Sequence, residues 1–436
     1  MKASRSALAL ALALALPASA ADLLNVYRDA RVSDPVYQAA RAQYQATTER
    51  LPQARAGYLP LIAGTGSVFR NHAERNGGRE VDYNTKTLGL TLSQPVLRLQ
   101  NWIAITQAQK VVLQAEATLA SSQQELALRV SQAYFDVLLA RDNVALSETQ
   151  KSAIDQQLAQ AKRNFEVGTA TIVDTLEAQA RYDQSVAKEI ADKNDLEVKQ
   201  RALQVLLGKV PDGLVPLREP LRLAEPTPND IEAWVKAAAD SSFTVAVARA
   251  TYEIAQQEVQ RQRAGHLPTI DLSGSFARVD DPNSAVPPVS PVARVGSIGL
   301  TLSVPIFAGG LTQSRVREAV ALRDRAEQDL ENTQRGVAQS VRASFLNVTS
   351  GIAQVRALEQ AQVSTQSQLD STILGRDVGV RTSVDVLNAQ QQVFQTRRDL
   401  QSARYNYLMN TLRLKAAVGT LTEADVEEVN RALGRG

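Results

Sequence analysis

The sequence has no cysteine, which excludes disulfides, thiolate metal sites and a thiol nucleophile. Histidine is nearly absent: His72 and His266 are the only two, and neither stands in a metal-ligating or catalytic spacing. The glycines match no phosphate-binding loop, and no nucleophile is paired with a base. No enzyme, cofactor or metal site is therefore expected. Aromatic residues make up only 5% of the chain while Ala and Gln abound, a composition suited to long helices more than to one thick core. Past residue 20 there is no run of eighteen apolar residues, hence no expected transmembrane helix, and the chain could enter a bilayer only as β-strands. Charge of one sign is missing too. With 48 basic and 46 acidic residues, two of the basic ones, Lys2 and Arg5, fall in Met1 to Ala20, which reads as an export signal: a basic start, an apolar stretch from Leu8 to Leu16, and small residues Ala18-Ser19-Ala20 before cleavage. The mature chain, expected to begin near Ala21, is neutral and has no basic footprint for nucleic acid.

What the chain does have is an unbroken stretch from Val96 to Val167 without Pro or Gly. As one helix it would be roughly 105 Å long, several times the ~30 Å hydrocarbon core of a membrane. Leu126, Val130, Ala133, Val137, Ala140, Val144, Ser147, Lys151, Ile154, Leu158, Ala161 and Phe165 recur in steps of four and three, the seam of a left-handed supercoil broken only by Ser147 and Lys151. A second stripe, Leu128, Phe135, Leu139 and Leu146, gives the helix two flanks to bury. That pattern suits a tube of helices.

Internal similarity sets the organisation. Arg55-Ala-Gly-Tyr-Leu-Pro60 returns as Arg263-Ala-Gly-His-Leu-Pro268, and Leu88-Gly-Leu-Thr-Leu-Ser-Gln-Pro95 as Ile298-Gly-Leu-Thr-Leu-Ser-Val-Pro305. Val167-Gly-Thr-Ala-Thr-Ile-Val-Asp-Thr-Leu-Glu-Ala-Gln179 returns as Val378-Gly-Val-Arg-Thr-Ser-Val-Asp-Val-Leu-Asn-Ala-Gln390. A constant spacing near 210 residues is the signature of tandem duplication. Residues 21–207 form the first copy, 208–228 a linker with five prolines, 229–418 the second copy, and 419–436 a short segment whose Asp425-Val-Glu-Glu-Val-Asn-Arg431 resembles the starts of both copies at Asp22 and Asp230. Each copy reads as a short amphipathic helix, a second helix, two strands, a long helix to a Gly turn, and a helix of about 35 residues. In the first copy Ser33-Asp34-Pro35 should stop one helix and cap the next, which runs to about Ala56 with a bend at Pro52. Gly168 and Gly379 should end the long helices in left-handed geometry. The shorter helices flanking each long helix are expected to stack end to end beside it.

The expected strands are Leu61 to Phe69 and Thr87 to Ser93, with equivalents in the second copy. Leu88, Leu90 and Leu92, and again Ile298, Leu300 and Leu302, alternate with small polar residues. The intervening stretches, Arg70 to Lys86 and Asp280 to Arg294, read as exposed loops. Two hairpins on a small soluble core is the bland alternative. Four strands cannot close a barrel, the smallest of which have about 8; three chains would supply twelve strands and a ring of helical columns. Tyr58, Trp102 and Phe307 flank the strands on the helix side, where an interfacial aromatic belt belongs, and His266 occupies the place of Tyr58 in the repeat.

With these features together, the sequence resembles the TolC family of outer-membrane channel-tunnels over essentially the whole mature chain, most specifically in Gly379-Val-Arg-Thr-Ser-Val-Asp-Val-Leu-Asn388 and Ala403-Arg-Tyr-Asn-Tyr-Leu-Met-Asn410. The resemblance implies a mainly α fold with a small β part: a homotrimer in which a long α-helical barrel in the periplasm continues a 12-stranded β-barrel set in outer membrane lipid. It implies partners as well, a periplasmic adaptor protein and an inner-membrane transporter of the ABC, RND or MFS type, for secretion or drug efflux. The tip of the helical part is then a gate at Asp174, Arg381 and Asp385, and Gly168-Thr169 and Gly379-Val380 are turns that touch the adaptor. Arg376 stands where a tyrosine link is expected, and Asn388 where a second acidic residue is expected one turn past Asp385. From the residues themselves, Asp174 and Asp385 each follow a Thr by three positions, a capping-box spacing, so each could be a helix cap, a pore charge or both. Arg381 could pair with Asp174 of a neighbouring hairpin or be a solvated charge. A non-conducting periplasmic coiled-coil protein is the alternative of a different class.

Overall fold

Helix propagation needs residues that lose little freedom and an absence of breakers, and the breaker-free stretch becomes α4, Leu99–Glu166, one of two helices close to seventy residues long. In chain order the elements are α1 (Leu23–Ser33), α2 (Pro35–Thr48), α3 (Arg50–Ala56), β1 (Leu61–Arg75), β2 (Arg79–Leu97), α4, α5 (Ile172–Leu207), α6 (Ile231–Ser241), α7 (Phe243–Arg263), β3 (Thr269–Asp280), β4 (Val292–Ser303), α8 (Leu311–Asp377), α9 (Ser383–Val418) and α10 (Glu423–Asn430). This computed structural model describes residues 22–75, 79–211, 213–282 and 292–434. The expected export signal, and parts of the two stretches expected as exposed loops, Gly77-Gly78 and Pro287-Pro288 among them, lie outside the described residues. None of the described helices is long and apolar enough to cross a membrane.

Two compact units divide the chain, and each takes part of both copies: one holds residues 40–120 and 243–336, the other holds 22–39, 121–242 and 337–434. In the first unit the strands pair antiparallel in the order β1-β2-β3-β4. Leu61 lies opposite Ser93, Gly89 opposite Ala277, and Thr269 opposite Ser303. The strands are longer than hydropathy suggests. β1 continues to Arg75 and β2 begins at Arg79, because the polar stretch keeps its ladder and ties its own side chains across it: Asn71 Nδ2 donates to Thr85 Oγ1 (2.8 Å), and His72 Nδ1 meets Asp82 Oδ1 (2.8 Å). At the other end β2 runs past Pro95 through a bulge to pair Leu97 with Ile270, so α4 starts at Leu99 and not at Val96. The apolar face of the sheet is largely uncovered. Leu88, Leu90, Leu300 and Leu302 are exposed, and Ile298 keeps 77% of its surface, while Thr91, Ser93, Ser273 and Ser275 on the other face are exposed as well. A soluble hairpin pair would bury its apolar face on a core of its own, and the exposure of these leucines disfavours that alternative. Another departure concerns the second helix, which breaks at Glu49 and resumes as α3. Pro52 has no N–H for the carbonyl of Thr48 and its ring crowds that carbonyl, so the break precedes the proline by a turn.

In the second unit the expected seam is largely interior. Leu126, Val130, Val137, Ala140, Ile154, Leu158 and Ala161 are buried, as is Ser147, whose hydroxyl donates to Val144 O (3.0 Å). Lys151, the other seam breaker, reaches Glu189 of α5 at 2.5 Å. Phe165 is exposed, so the seam ends one step before it; the second stripe buries only Phe135 fully and is joined by Tyr134 and Leu138. Tyr134 is buried because its hydroxyl has partners: it donates to Val215 O (3.0 Å) and accepts from Val215 N (3.1 Å), tying the proline-rich linker to α4. Asp34 is also buried, capping α2 through Tyr37 N (2.7 Å) and bonding Arg129 (3.1 Å).

The helix ends meet in the same way in both copies. Ser33 Oγ, at the α1–α2 junction, donates to Leu206 O at the end of α5 (3.1 Å), and Ser241 Oγ, at the α6–α7 junction, donates to Val418 O at the end of α9 (2.8 Å). α1 and α10 are joined by Leu23 N to Asn430 Oδ1 (3.0 Å) and by Arg28 with Glu423 (2.7 Å).

Candidate functional site

The two helical hairpins α4–α5 and α8–α9 end in turns of the same construction. Gly168 and Gly379 both have φ of +80°, the left-handed conformation that frees the last carbonyls of a helix for capping. Thr169 N then donates to Asn164 O (2.8 Å) and Val380 N to Gly375 O (2.8 Å), equivalent bonds in the two copies. The return helices start with equivalent capping boxes. Thr171 N donates to Asp174 Oδ2 (2.9 Å) and Asp174 N to Thr171 Oγ1 (3.3 Å); Thr382 N donates to Asp385 Oδ2 (2.9 Å) and Asp385 N to Thr382 Oγ1 (3.1 Å). Each turn thereby satisfies its own backbone donors and holds its shape without a partner chain. These bonds from Thr382, more than the nearby Arg381, hold the Asp385 carboxyl below its ordinary value. Around the turns stand exposed apolar residues, Val167, Ile172, Val173, Leu176, Leu374, Val378 and Val380, the last with 75% of its surface free.

Not all expected tip residues come together within one chain. Arg381 is exposed; its stem packs over Gly375, where an added Cβ would lie 2.8 Å from Arg381 Cγ, and among the described residues it forms no salt bridge. Asp174 and Arg376 do line one small cleft between the hairpins, with Gln157, Gln160 and Ser383. Arg376 fills the expected tyrosine position as a link of its own: Nη1 donates to Gln157 Oε1 (3.2 Å) and Nη2 to Asp377 Oδ1 (2.7 Å). Asn388 accepts from Arg181 Nη2 (3.0 Å), while Arg181 Nη1 donates to Gln391 Oε1 (2.9 Å). Arg181 was not singled out from sequence. A signal was available, because residues about one repeat apart lie at the same level of the two hairpins, and Arg181 and Gln391 are 210 apart. No group of three or more His, Asp or Glu is placed for a metal ion among the described residues.

In the other unit Tyr58 and Trp102 meet edge to face, with centroids 5.8 Å apart at 76°. Trp102 and Phe307 are both exposed, at 61% and 88%.

Comparison with known proteins bears on the whole architecture. The sequence profile of the family described as "Outer membrane efflux protein" matches residues 26–209 and again 234–420. The chain is 34% identical to the outer membrane protein TolC of Vibrio cholerae over 95% of its own length and 94% of that protein, and 30% identical to the alkaline protease secretion protein AprF of Pseudomonas aeruginosa over 94% and 87%. The crystal structure of the outer membrane protein VceC from Vibrio cholerae superposes with a TM-score of 0.78, at 19% identity, over 91% of this chain and 96% of that one. These relatives do not favour a non-conducting coiled-coil protein. The chain belongs to the outer membrane efflux protein family: it is an outer-membrane exit duct for secretion or efflux, with a periplasmic helical tunnel, whose four strands are one chain's share of a twelve-stranded barrel closed by three copies.

Proposed function

We propose that the trimeric duct receives its cargo from an inner-membrane transporter of the ABC, RND or MFS type through a periplasmic adaptor protein, and that it opens at the two hairpin tips. The observation that carries this is the pair of self-capped turns rimmed by exposed apolar residues. Such a rim costs solubility unless something covers it, and turns that need no further hydrogen bonds can be moved as rigid bodies. Gly168, Thr169, Gly379 and Val380 are the adaptor contacts in this reading. Asp174, Arg376, Arg381, Asp385 and Asn388 form the gate, with Arg381 free in its own chain to reach Asp174 of a neighbouring hairpin. Tyr58, Trp102 and Phe307 form the aromatic belt at the lipid boundary. The duct performs no covalent chemistry and needs no cofactor; the name of AprF supports a secretion role, and the inner-membrane partner selects the substrate.

The test is single-channel conductance in planar bilayers. Three Arg381–Asp174 pairs acting together, each worth ~1 kcal/mol, would bias the tip strongly towards closed. Arg381→Ser combined with Asp174→Asn, which keeps a capping acceptor, should raise resting conductance. Conductance equal to that of the unmodified protein would remove this pair from the gate.

A further inference from the structure

Behind the tips, α4, α5 and α9 form a cleft, partly open to solvent, with a volume of about 190 Å³, lined by Arg181, Lys188 and Arg398 together with Gln150, Gln390 and Gln395, and no Asp or Glu lines it. By a water's share of ~30 Å³ it has room for roughly six waters, or for one small polyatomic ion. Its three cations are poorly compensated. Arg181 spends both its amino groups on neutral amide oxygens of Asn388 and Gln391. Lys188 and Arg398 share a single carboxylate, that of Asp192: Lys188 Nζ bonds Oδ1 directly, and Arg398 stands 3.9 Å from Oδ2, which has no hydrogen-bond partner of its own. Two polar atoms of the lining, Arg398 Nε and Gln390 Oε1, are buried without a hydrogen-bond partner. Leaving such atoms unmet is costly. An oxyanion would accept from Arg398 Nε, and rotation of the Gln390 amide would offer its NH₂ to the same ligand.

We propose that this cleft is a binding site for a small multivalent oxyanion of the phosphate class, held by Arg181, Lys188 and Arg398. Guanidinium groups suit the task because their planar donors match a tetrahedral oxyanion, and rings of Arg and Lys are how pores favour anions. In the trimer the site occurs three times. The proposal does not depend on how the tip opens.

The probe is inorganic pyrophosphate, titrated calorimetrically into the full-length trimer in detergent at low and at physiological ionic strength. The expected result is saturable binding at one site per chain. Arg181→Gln and Arg398→Gln should each weaken it by at least about tenfold, the scale of one lost charge-assisted hydrogen bond. Arg181→Lys should retain part of it, and Arg163→Gln, an exposed cation near the tip but outside the cleft and the gate, should leave it unchanged. Circular dichroism of each variant separates lost binding from lost fold, and a pyrophosphate-dependent rise in melting temperature that Arg181→Gln abolishes gives a second reading. Inorganic phosphate bound as well as a phosphomonoester would make a free ion the occupant, and a preferred phosphomonoester would make it a phosphoryl group carried by a larger solute. Absence of saturable heat, or equal weakening by Arg163→Gln and Arg181→Gln, would overturn the proposal, since the second outcome reports only a diffuse field.

Discussion

Asp385 is asked to do two things, and the structure offers a way to separate them. Its Oδ2 accepts from Thr382 N, and its own N–H donates to Thr382 Oγ1. Asp385→Asn keeps an acceptor oxygen in place for the Thr382 amide while deleting the charge, three charges per trimer. Thr382→Ala does the reverse, removing the hydroxyl that accepts from Asp385 N and leaving the carboxylate. Losing a Thr cap costs about 1 kcal/mol, which increases local opening roughly fivefold. Because the tip is a helix end, that loss should appear as faster amide exchange across residues 383–386 and hardly at all in the global melting temperature. Ion selectivity should behave in the opposite way: Asp385→Asn shifts the reversal potential in a salt gradient towards zero, whereas Thr382→Ala leaves it alone. The pH dependence carries a sign. The Thr382 bonds hold the Asp385 carboxyl below the ordinary aspartate value, so its contribution to both cap and selectivity is complete above that value and fades only as pH falls below it. If Asp385→Asn accelerates exchange at residues 383–386 and leaves the reversal potential unchanged, the carboxylate is a cap alone and lies outside the ion path.

Gly419 closes α9 at φ +88°, and an added Cβ would lie 2.3 Å from Ser241 O and 2.9 Å from Ser242 Cα, backbone atoms that have nowhere to go. Gly419→Ala should therefore cost about 2–4 kcal/mol, from left-handed strain plus overpacking, and lower the melting temperature of the trimer measured by circular dichroism. Tyr405 donates to Asp142 Oδ2 (2.7 Å), and burial raises the values of both groups. A carboxyl raised in this way is best accommodated when protonated, so its share of stability is full below the ordinary carboxylate value and is lost as pH rises through the raised one. Removing the donor with Tyr405→Phe should accordingly cost about 1–2 kcal/mol at pH 7.5 and much less near pH 4, as read from thermal unfolding at the two pH values.

The long helices were legible because helix needs only good formers and no breakers, and the residues that end them, Gly168 and Gly379, announce themselves. The capping boxes were legible for the same local reason. The polar halves of β1 and β2 were not, since a strand ladder is built from backbone groups and needs no hydrophobic alternation; His72 and Asp82 look like loop residues until they are seen opposite each other. Nor was Arg181, whose partners stand on the other hairpin, some two hundred residues away.

What the duplication kept and what it changed separates structure from function more sharply than either copy alone. Residues that satisfy backbone at junctions are the same in both copies: Ser33 and Ser241 at the helix joints, Gly168 and Gly379 at the turns, Thr171-Asp174 and Thr382-Asp385 at the caps. Residues that carry charge into the tip are not. At the repeat spacing Arg376 corresponds to Phe165, Arg381 to Ala170, Asn388 to Glu177, and Arg181 to Gln392. Six identical hairpins would make a ring of six equal links, each pairing like with like. Because these arginines stand in one copy only, they can link unlike hairpins, as Arg181 to Asn388 and Arg376 to Gln157 already do within the chain, although Arg376 also bonds Asp377 beside it. A trimer of such chains has a sixfold scaffold and a threefold set of polar links. In the proposed gate, removing those links at every other hairpin contact should then let the ring move while the caps that define each hairpin stay closed, which conductance and amide exchange of the same variant would read separately.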